Sequence, residues 1–377
     1  MMPGTDRTIK ALSTETCGCP RLLVLFIKLE KSKESAFNQK VSISLEQAET
    51  IFSQFDIHGG FMGDLIGRPD YWSAINRCKS EGDKVDDVFE FFCQHPRWAQ
   101  SSRYEKGLPH ALQGHRAPCS VYMHHSKARN LTLYMIAASE AEDWFPSLRQ
   151  RIGINTDSPD RIPQQVSTAL ALSPFMIHAI MSVIAFEQSI DYVASVRDKL
   201  MTQIKHVNDY STDKGPHNTK LRRSEMEGRI RLENITKELH LVSQTADSGI
   251  AGSHMSIKIA EKMLEAHSMH IMPTTTKEPR QQESPAAAAA FIRDTHGMLQ
   301  YVRDSFYSQK DWLTSYKARK DTAMNFVFNM VTQQDSATNV DISYKMSNDS
   351  SSMNAVTILT LIFLPGTFLS VSNNHPS

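Results

Sequence analysis

The chain carries no excess of either charge. Its 377 residues hold 41 Lys+Arg against 41 Asp+Glu, so nothing in the balance calls for nucleic acid or a strongly anionic surface as partner. Cysteine is scarce and odd in number: Cys17, Cys19, Cys78, Cys93 and Cys119. Loose spacing in a long chain argues against a disulfide framework and for a reducing compartment. Cys17 and Cys19 are separated by one residue, not by the two typical of zinc knuckles and redox motifs, and read as an inert pair. An export signal is also lacking. "RLLVLFIKL" (residues 21–29) offers only six consecutive strongly apolar residues before Lys28, too few for a signal core. It fits a buried β-strand, and the bulk of the chain is expected on the cytosolic or matrix side. The glycines of "HGGFMGDLIG" (residues 58–67) are not followed by Lys-Ser/Thr and lack the G-x-G-x-x-G order. They read as an ordinary loop. No Ser/His/Asp or Cys/His arrangement is arguable from the sequence, so an enzyme reading has no positive support and the chain is read as a non-enzyme.

What is present divides by texture. Residues 1–165 read as a mixed α/β domain. "SLEQAETIFSQF" opens with a capping pattern, Ser44 with Gln47 three residues on, and places Ile51, Phe52 and Phe55 on one helix face. "CSVYMHHSKARNLTLYMIAA" reads as two strands around a polar turn at residues 126–130. His124 and His125 are adjacent in the first of these strands, so they point to opposite faces and cannot chelate one ion.

From about residue 167 the pattern is helical. Residues 169–207 predict one long helix with Pro174 near its start. Its apolar stretch, residues 171–186, is about 16 residues long, short for a membrane span, and reads as a buried helix. A second, coiled-coil-like helix is predicted over residues 219–270. His267 and His270, spaced i, i+3, lack a third ligand nearby and read as a solvated helix end. A third helix begins at Ser284-Pro285 with a run of five alanines. Unbroken, it covers about 80 residues and about 120 Å, the length of a stalk leading to a membrane. "SNDSSS" (residues 347–352) is its weak point.

One stretch is apolar enough to need lipid. From Met353 to Val371, 19 residues carry no charge, which as a helix span about 28 Å and nearly match a hydrocarbon core. Pro365-Gly366 within it would break a soluble helix but is tolerated in a membrane bundle. Met353, Val356, Thr360, Leu364 and Thr367 are spaced 3, 4, 4 and 3 apart and share one face. Mixed apolar and hydroxyl side chains there suit the lining of a narrow, gated pore.

"M-x-x-V-T-I-L-T-L-I-F-L-P-G-T-F" (residues 353–368) resembles the start of the first transmembrane helix of CorA-type magnesium transporters, and "FNMVTQQDSATN" (residues 328–339) is similar to the stalk of their fungal CorA-like members. The motif covers about 45 residues. The resemblance implies an α+β fold class: an N-terminal mixed α/β cytosolic domain, long stalk helices and one C-terminal transmembrane helix. It implies a homopentamer, a membrane as partner, and Mg2+ as the transported or regulatory ion. By the same resemblance Met353, Val356, Thr360, Leu364 and Thr367 line the pore. No metal ligand is assigned; Asp321, Asp335 and Asp341 lie on the stalk.

In the family a Gly-Met-Asn signature and a second span follow this helix, whereas here "SNNHPS" follows Val371. The expectation is therefore a family member truncated after its first transmembrane helix and non-conducting alone. Three segments are expected: 1–165 as the α/β domain, 166–346 as the long-helix stalk, and 347–377 as the span and its polar tail. The alternative reading is a tail-anchored or soluble helical interaction protein whose helices serve oligomerisation.

Overall fold

The computed structural model describes residues 21–32, 39–68, 74–81, 84–98, 119–127, 129–139, 143–154, 164–212, 221–270 and 285–372. Cys17 and Cys19 lie outside them. The described residues of Met1–Asp198 and Gln244–Lys317 form one compact unit, and those of Lys199–Ser243 and Ala318–Ser377 a second.

The first unit is built on a six-stranded sheet. The apolar run predicted as a strand is β1 (Arg21–Lys31), followed by the short β2 (Gln39–Val41). Helices α1 (Leu45–Gln54) and α2 (Phe61–Leu65) precede β3 (Ile75–Glu81), β4 (Lys84–His95), β5 (Cys119–Ser126) and β6 (Leu131–Ser139). The spatial order is β2-β1-β6-β5-β4-β3. β6 pairs parallel with β1, from Arg21 opposite Leu131 to Leu29 opposite Ser139, and the other pairs are antiparallel. Thus the chain crosses from one sheet edge to the other between β2 and β3, then returns as a meander. The hairpin around residues 126–130 forms as expected, with Asn130 at φ 47 in its turn, a conformation that asparagine tolerates better than most residues.

Strand alternation sorts the core into two layers. Phe92, Tyr122, Leu133 and Met135 face α1 and α2, meeting Ile51, Phe55, Phe61 and Leu65. Phe89, Phe91, Cys93, Met123 and Tyr134 face the other way, toward the longer helices. α1 is capped as its sequence requires: Gln47 N donates to Ser44 Oγ at 3.2 Å, and Ser44 N donates to Gln47 Oε1 at 3.0 Å. The glycine-bearing stretch at residues 58–67 departs from the loop expectation. It includes the one-turn helix α2, because Phe61 and Leu65 are drawn into the core, 0% and 1% exposed.

On the second face lie α3 (Trp144–Arg151), α4 (Gln164–Leu172) and α5 (Met176–Thr212). The single helix expected over residues 169–207 is in fact two. Pro174 lacks an N–H and sits between α4 and α5, and there its carbonyl accepts the hydroxyl hydrogen of Tyr134. The break is further held by Ser173 Oγ, 2.6 Å from Thr295 Oγ1. The helix Met176–Ser211 is long and apolar enough to cross a membrane, but Ile177, Ala179, Met181, Ile184 and Ala185 are buried in the core. The expectation of a buried helix there holds.

Helices α6 (Leu221–His270) and α7 (Pro285–Ser372) run through both units. Within the second unit, Leu200, Val207 and Tyr210 on α5, Leu232, Ile235 and Leu239 on α6, and Ala323, Val327 and Met330 on α7 are buried. Their 3–4 spacing is that of helix–helix packing. Tyr210 donates to Gln334 Oε1 at 3.2 Å, and Arg229 stands 3.7 Å from Asp335. α7 is 88 residues long and stays helical through residues 347–352 and through Pro365 and Gly366.

One group in the first unit is placed at odds with its charge. Asp64 on α2 is fully buried, and neither carboxylate oxygen has a hydrogen-bond partner among the described residues. Burial pushes its pKa from 3.8 up to about 8, against a smaller lowering by Arg68. Below pH 3.8 the carboxyl is protonated in folded and unfolded chains alike and costs nothing. Between those values the unfolded chain ionises first, so the cost of burying Asp64 grows as pH rises and reaches its full size above about 8. Asp64→Asn does not titrate. Its melting temperature should therefore rise relative to the parent between pH 4 and pH 8, by the equivalent of a few kcal/mol. Parallel pH profiles would refute this assignment.

Candidate functional site

Two places in the chain carry features beyond packing. The first is the far part of α7. All five residues read as pore-lining, Met353, Val356, Thr360, Leu364 and Thr367, fall within this one helix. Met353 and Val356 are 72% and 65% exposed. The Thr360 hydroxyl folds back onto its own helix, donating to the Val356 carbonyl at 2.5 Å. The side chains of Leu364 and Thr367 lie outside the described residues. From residue 335 to residue 361 every position is exposed, including Val340, Tyr344, Ile358, Leu359 and Leu361. The part from Met353 to Leu361 is an apolar helix surface with no cover among the described residues.

The second place was not foreseen. Cys93 and His95 are i, i+2 on β4, so both point to the face covered by the long helices. His178, two residues into α5, meets them there. Cys93 Sγ is 3.8 Å from His95 Nε2 and 3.9 Å from His178 Nδ1, and the three donor atoms lie within 4.8 Å of one another. All three side chains are buried. Aromatic rings enclose them: Phe91 stands edge-on to His178 at 5.1 Å, Tyr134 is 5.5 Å and Phe175 6.1 Å from the same ring, and Trp144 is 6.3 Å from His95. Burial lowers the pKa of His95 to about 4 and that of His178 well below the ordinary histidine range. Burial, with a smaller contribution from Asp64, pushes the Cys93 thiol up. The histidines are therefore neutral, with ring nitrogens available as donors. The one sequence signal was Cys-Gln-His in a strand, which places two donors on one face. The third donor, 83 residues from His95, enters only through the fold.

The other histidines are distributed differently. His124 faces Glu90, 3.7 Å away, and Phe55. His125 points to the opposite face, with Nδ1 2.8 Å from Thr132 Oγ1 and its ring on Phe89. The expected divergence of this pair holds. His267 and His270 do not form a solvated helix end. His267 is fully buried beside Phe175 and His296, and burial lowers its pKa to about 4. His270 stacks on Phe89 at 4.7 Å and reaches Asn76 Oδ1 at 3.1 Å. The α6 terminus is drawn onto the sheet because the apolar face of β4 needs cover there.

Thiol accessibility follows from these placements. Cys78 is exposed, whereas Cys93 and Cys119 are buried. Brief treatment of the native chain with iodoacetamide should alkylate Cys78 at least tenfold faster than Cys93 or Cys119, as read by peptide mass mapping. Comparable rates would contradict the burial of the Cys93 cluster.

No protein-family model matches the chain, and no curated protein matches it. Solved structures do match. One is the crystal structure of the ZntB cytoplasmic domain from Vibrio parahaemolyticus RIMD 2210633, 8% identical, covering 80% of this chain and 99% of that chain at a TM-score of 0.29.

Proposed function

We propose that the chain is a CorA-like metal-ion transporter family protein, anchored by residues 353–371 in a membrane and assembled from identical copies. The observation that carries this reading is α7. It continues as one helix from the sheet-bearing unit into the uncharged run, and its described surface there is apolar and uncovered. Met353, Val356, Ile358, Leu359 and Leu361 are all more than half exposed. Leaving such side chains in water forgoes about 1.5–3 kcal/mol each, so lipid or neighbouring copies of the same helix are the natural cover. The motif at residues 353–368 and the stalk sequence at residues 328–339 resemble the corresponding parts of CorA-like transporters and support the same conclusion.

In this reading the face of Met353, Val356, Thr360, Leu364 and Thr367 turns toward the axis of the assembly. Its apolar members close the path by excluding water, and the threonine hydroxyls offer oxygen to a hydrated cation. Magnesium, which sheds its waters reluctantly, is the cargo. The bulk of the chain lies on the cytosolic or matrix side.

Membranes from cells expressing the full chain with a fluorescent tag should keep it through an alkaline carbonate wash. Full release into the supernatant would remove the membrane reading. Magnesium uptake in cells lacking their own magnesium transporters separates conduction from the non-conducting form expected from the sequence; where uptake is restored, Val356→Asp should raise it, since a charge hydrates the apolar constriction and removes gating by dewetting. Retention in membranes without uptake would fit the non-conducting family member and an anchored interaction protein alike, and restored uptake would exclude a mere anchor.

A further inference from the structure

The Cys93, His95 and His178 cluster lies in the sheet-bearing unit and has no part in the pore reading. We propose that these three side chains hold a resident zinc ion that ties β4 to α5. The site is structural and distinct from any transported cation.

Geometry carries the proposal. With Zn–S near 2.3 Å and Zn–N near 2.0–2.1 Å, tetrahedral coordination places sulfur and nitrogen about 3.6 Å apart. The Cys93 Sγ distances to His95 Nε2 and His178 Nδ1 are 3.8 and 3.9 Å, a few tenths of an ångström from that value. Hydrogen bonding explains the cluster less well. A thiol is a weak donor and a weak acceptor, and these separations stand at the long limit of a sulfur contact. An ion would replace two weak contacts by two coordinate bonds to imidazole and one to thiolate.

Donor chemistry selects the ion. One thiolate and two imidazoles suit a borderline-soft cation such as zinc, while magnesium and calcium take oxygen ligands. The same cluster therefore discriminates against the cargo inferred for the pore. The metal also offsets the thiolate charge in an apolar interior, and the proton of Cys93 leaves to solvent as the ion binds. Three protein donors leave one tetrahedral position, filled by a water carried in with the ion. The rings of Phe91, Tyr134, Phe175 and Trp144 surround the site, and all three donors are buried, so the role is one of fastening. The fastening joins residues 85 apart in sequence, so zinc binding adds to the stability of the sheet-and-helix core.

The test uses the full chain, purified in detergent without a histidine tag or chelator. Elemental analysis should find about one zinc per chain. Zinc-edge X-ray absorption should show one sulfur and two imidazole nitrogens in the first shell. After exchange to cobalt, a thiolate-to-cobalt charge-transfer band should appear, persist when Cys17, Cys19 and Cys78 are all replaced by serine, and vanish in Cys93→Ala. A chain without zinc that takes up no cobalt, a first shell without sulfur, or a band that survives Cys93→Ala would each overturn the proposal. The absorption measurement needs no variant, so it decides the matter even where Cys93→Ala does not fold. A failure of magnesium uptake would leave the zinc site untouched.

Discussion

Every side chain of β5 is buried, from Cys119 to Ser126, and so is nearly every one of β6. A sheet buried on both faces must be covered on both faces, and this requirement arranges the first unit. On one side the cover is small: α1 and the single turn α2, joined through Phe55, Ile57 and Phe61 to the inward residues of β4, β5 and β6. On the other side it is large: α3, α4, the start of α5, the end of α6 and the start of α7. The break at Pro174 serves the same end. It separates α4 from α5 over one surface, with the Tyr134 hydroxyl donating to the Pro174 carbonyl at the break.

Burial on both faces also sets the chemistry of the polar groups caught in the sheet. Glu90 is 1% exposed, and it is satisfied by Arg77 Nε at 2.7 Å and by the Tyr122 hydroxyl at 2.8 Å. Truncating one partner of such a cluster strands the others in a low dielectric. On the opposite face, Cys93, His95 and His178 stand among rings with their donor atoms turned toward one another in the geometry described above. The contrast is physical. The Glu90 group is a closed network of opposite charges and hydrogen bonds, whereas the cysteine–histidine group consists of donors that converge on a common point. Convergent, neutral, metal-type donors within 4.8 Å of each other are what an ion recognises.

The far part of α7 obeys the same rule in reverse. There the helix has no apolar partner among the described residues, and from residue 335 to residue 361 nothing is buried. An 88-residue helix of this kind makes sense where other molecules supply the cover, which is why the exposed Met353, Val356 and Leu361 weigh more in the functional reading than any cavity.

Local patterns determined a good part of this protein. The β1 run, the Ser44 and Gln47 cap, the β5–β6 hairpin, the divergence of His124 and His125, and the long helices ending at His270 and starting at Pro285 were all legible, because each depends on residues within a turn or a strand of one another. So was the uncharged run at residues 353–371, which composition alone reveals. Other features depended on partners remote in sequence. Nothing near Phe61 says that a glycine-bearing loop will tighten into a turn of helix; the aromatic core beneath it decides that. Pro174 is visible, but whether it starts a helix or divides two depends on Tyr134 and Thr295. His267 looks like a surface residue until Phe175 and His296 close over it. The meeting of Cys93 and His95 with His178 is likewise a product of the sheet's alternation and of the helix laid across it, since side chains 85 residues apart become neighbours only when tertiary packing makes them so.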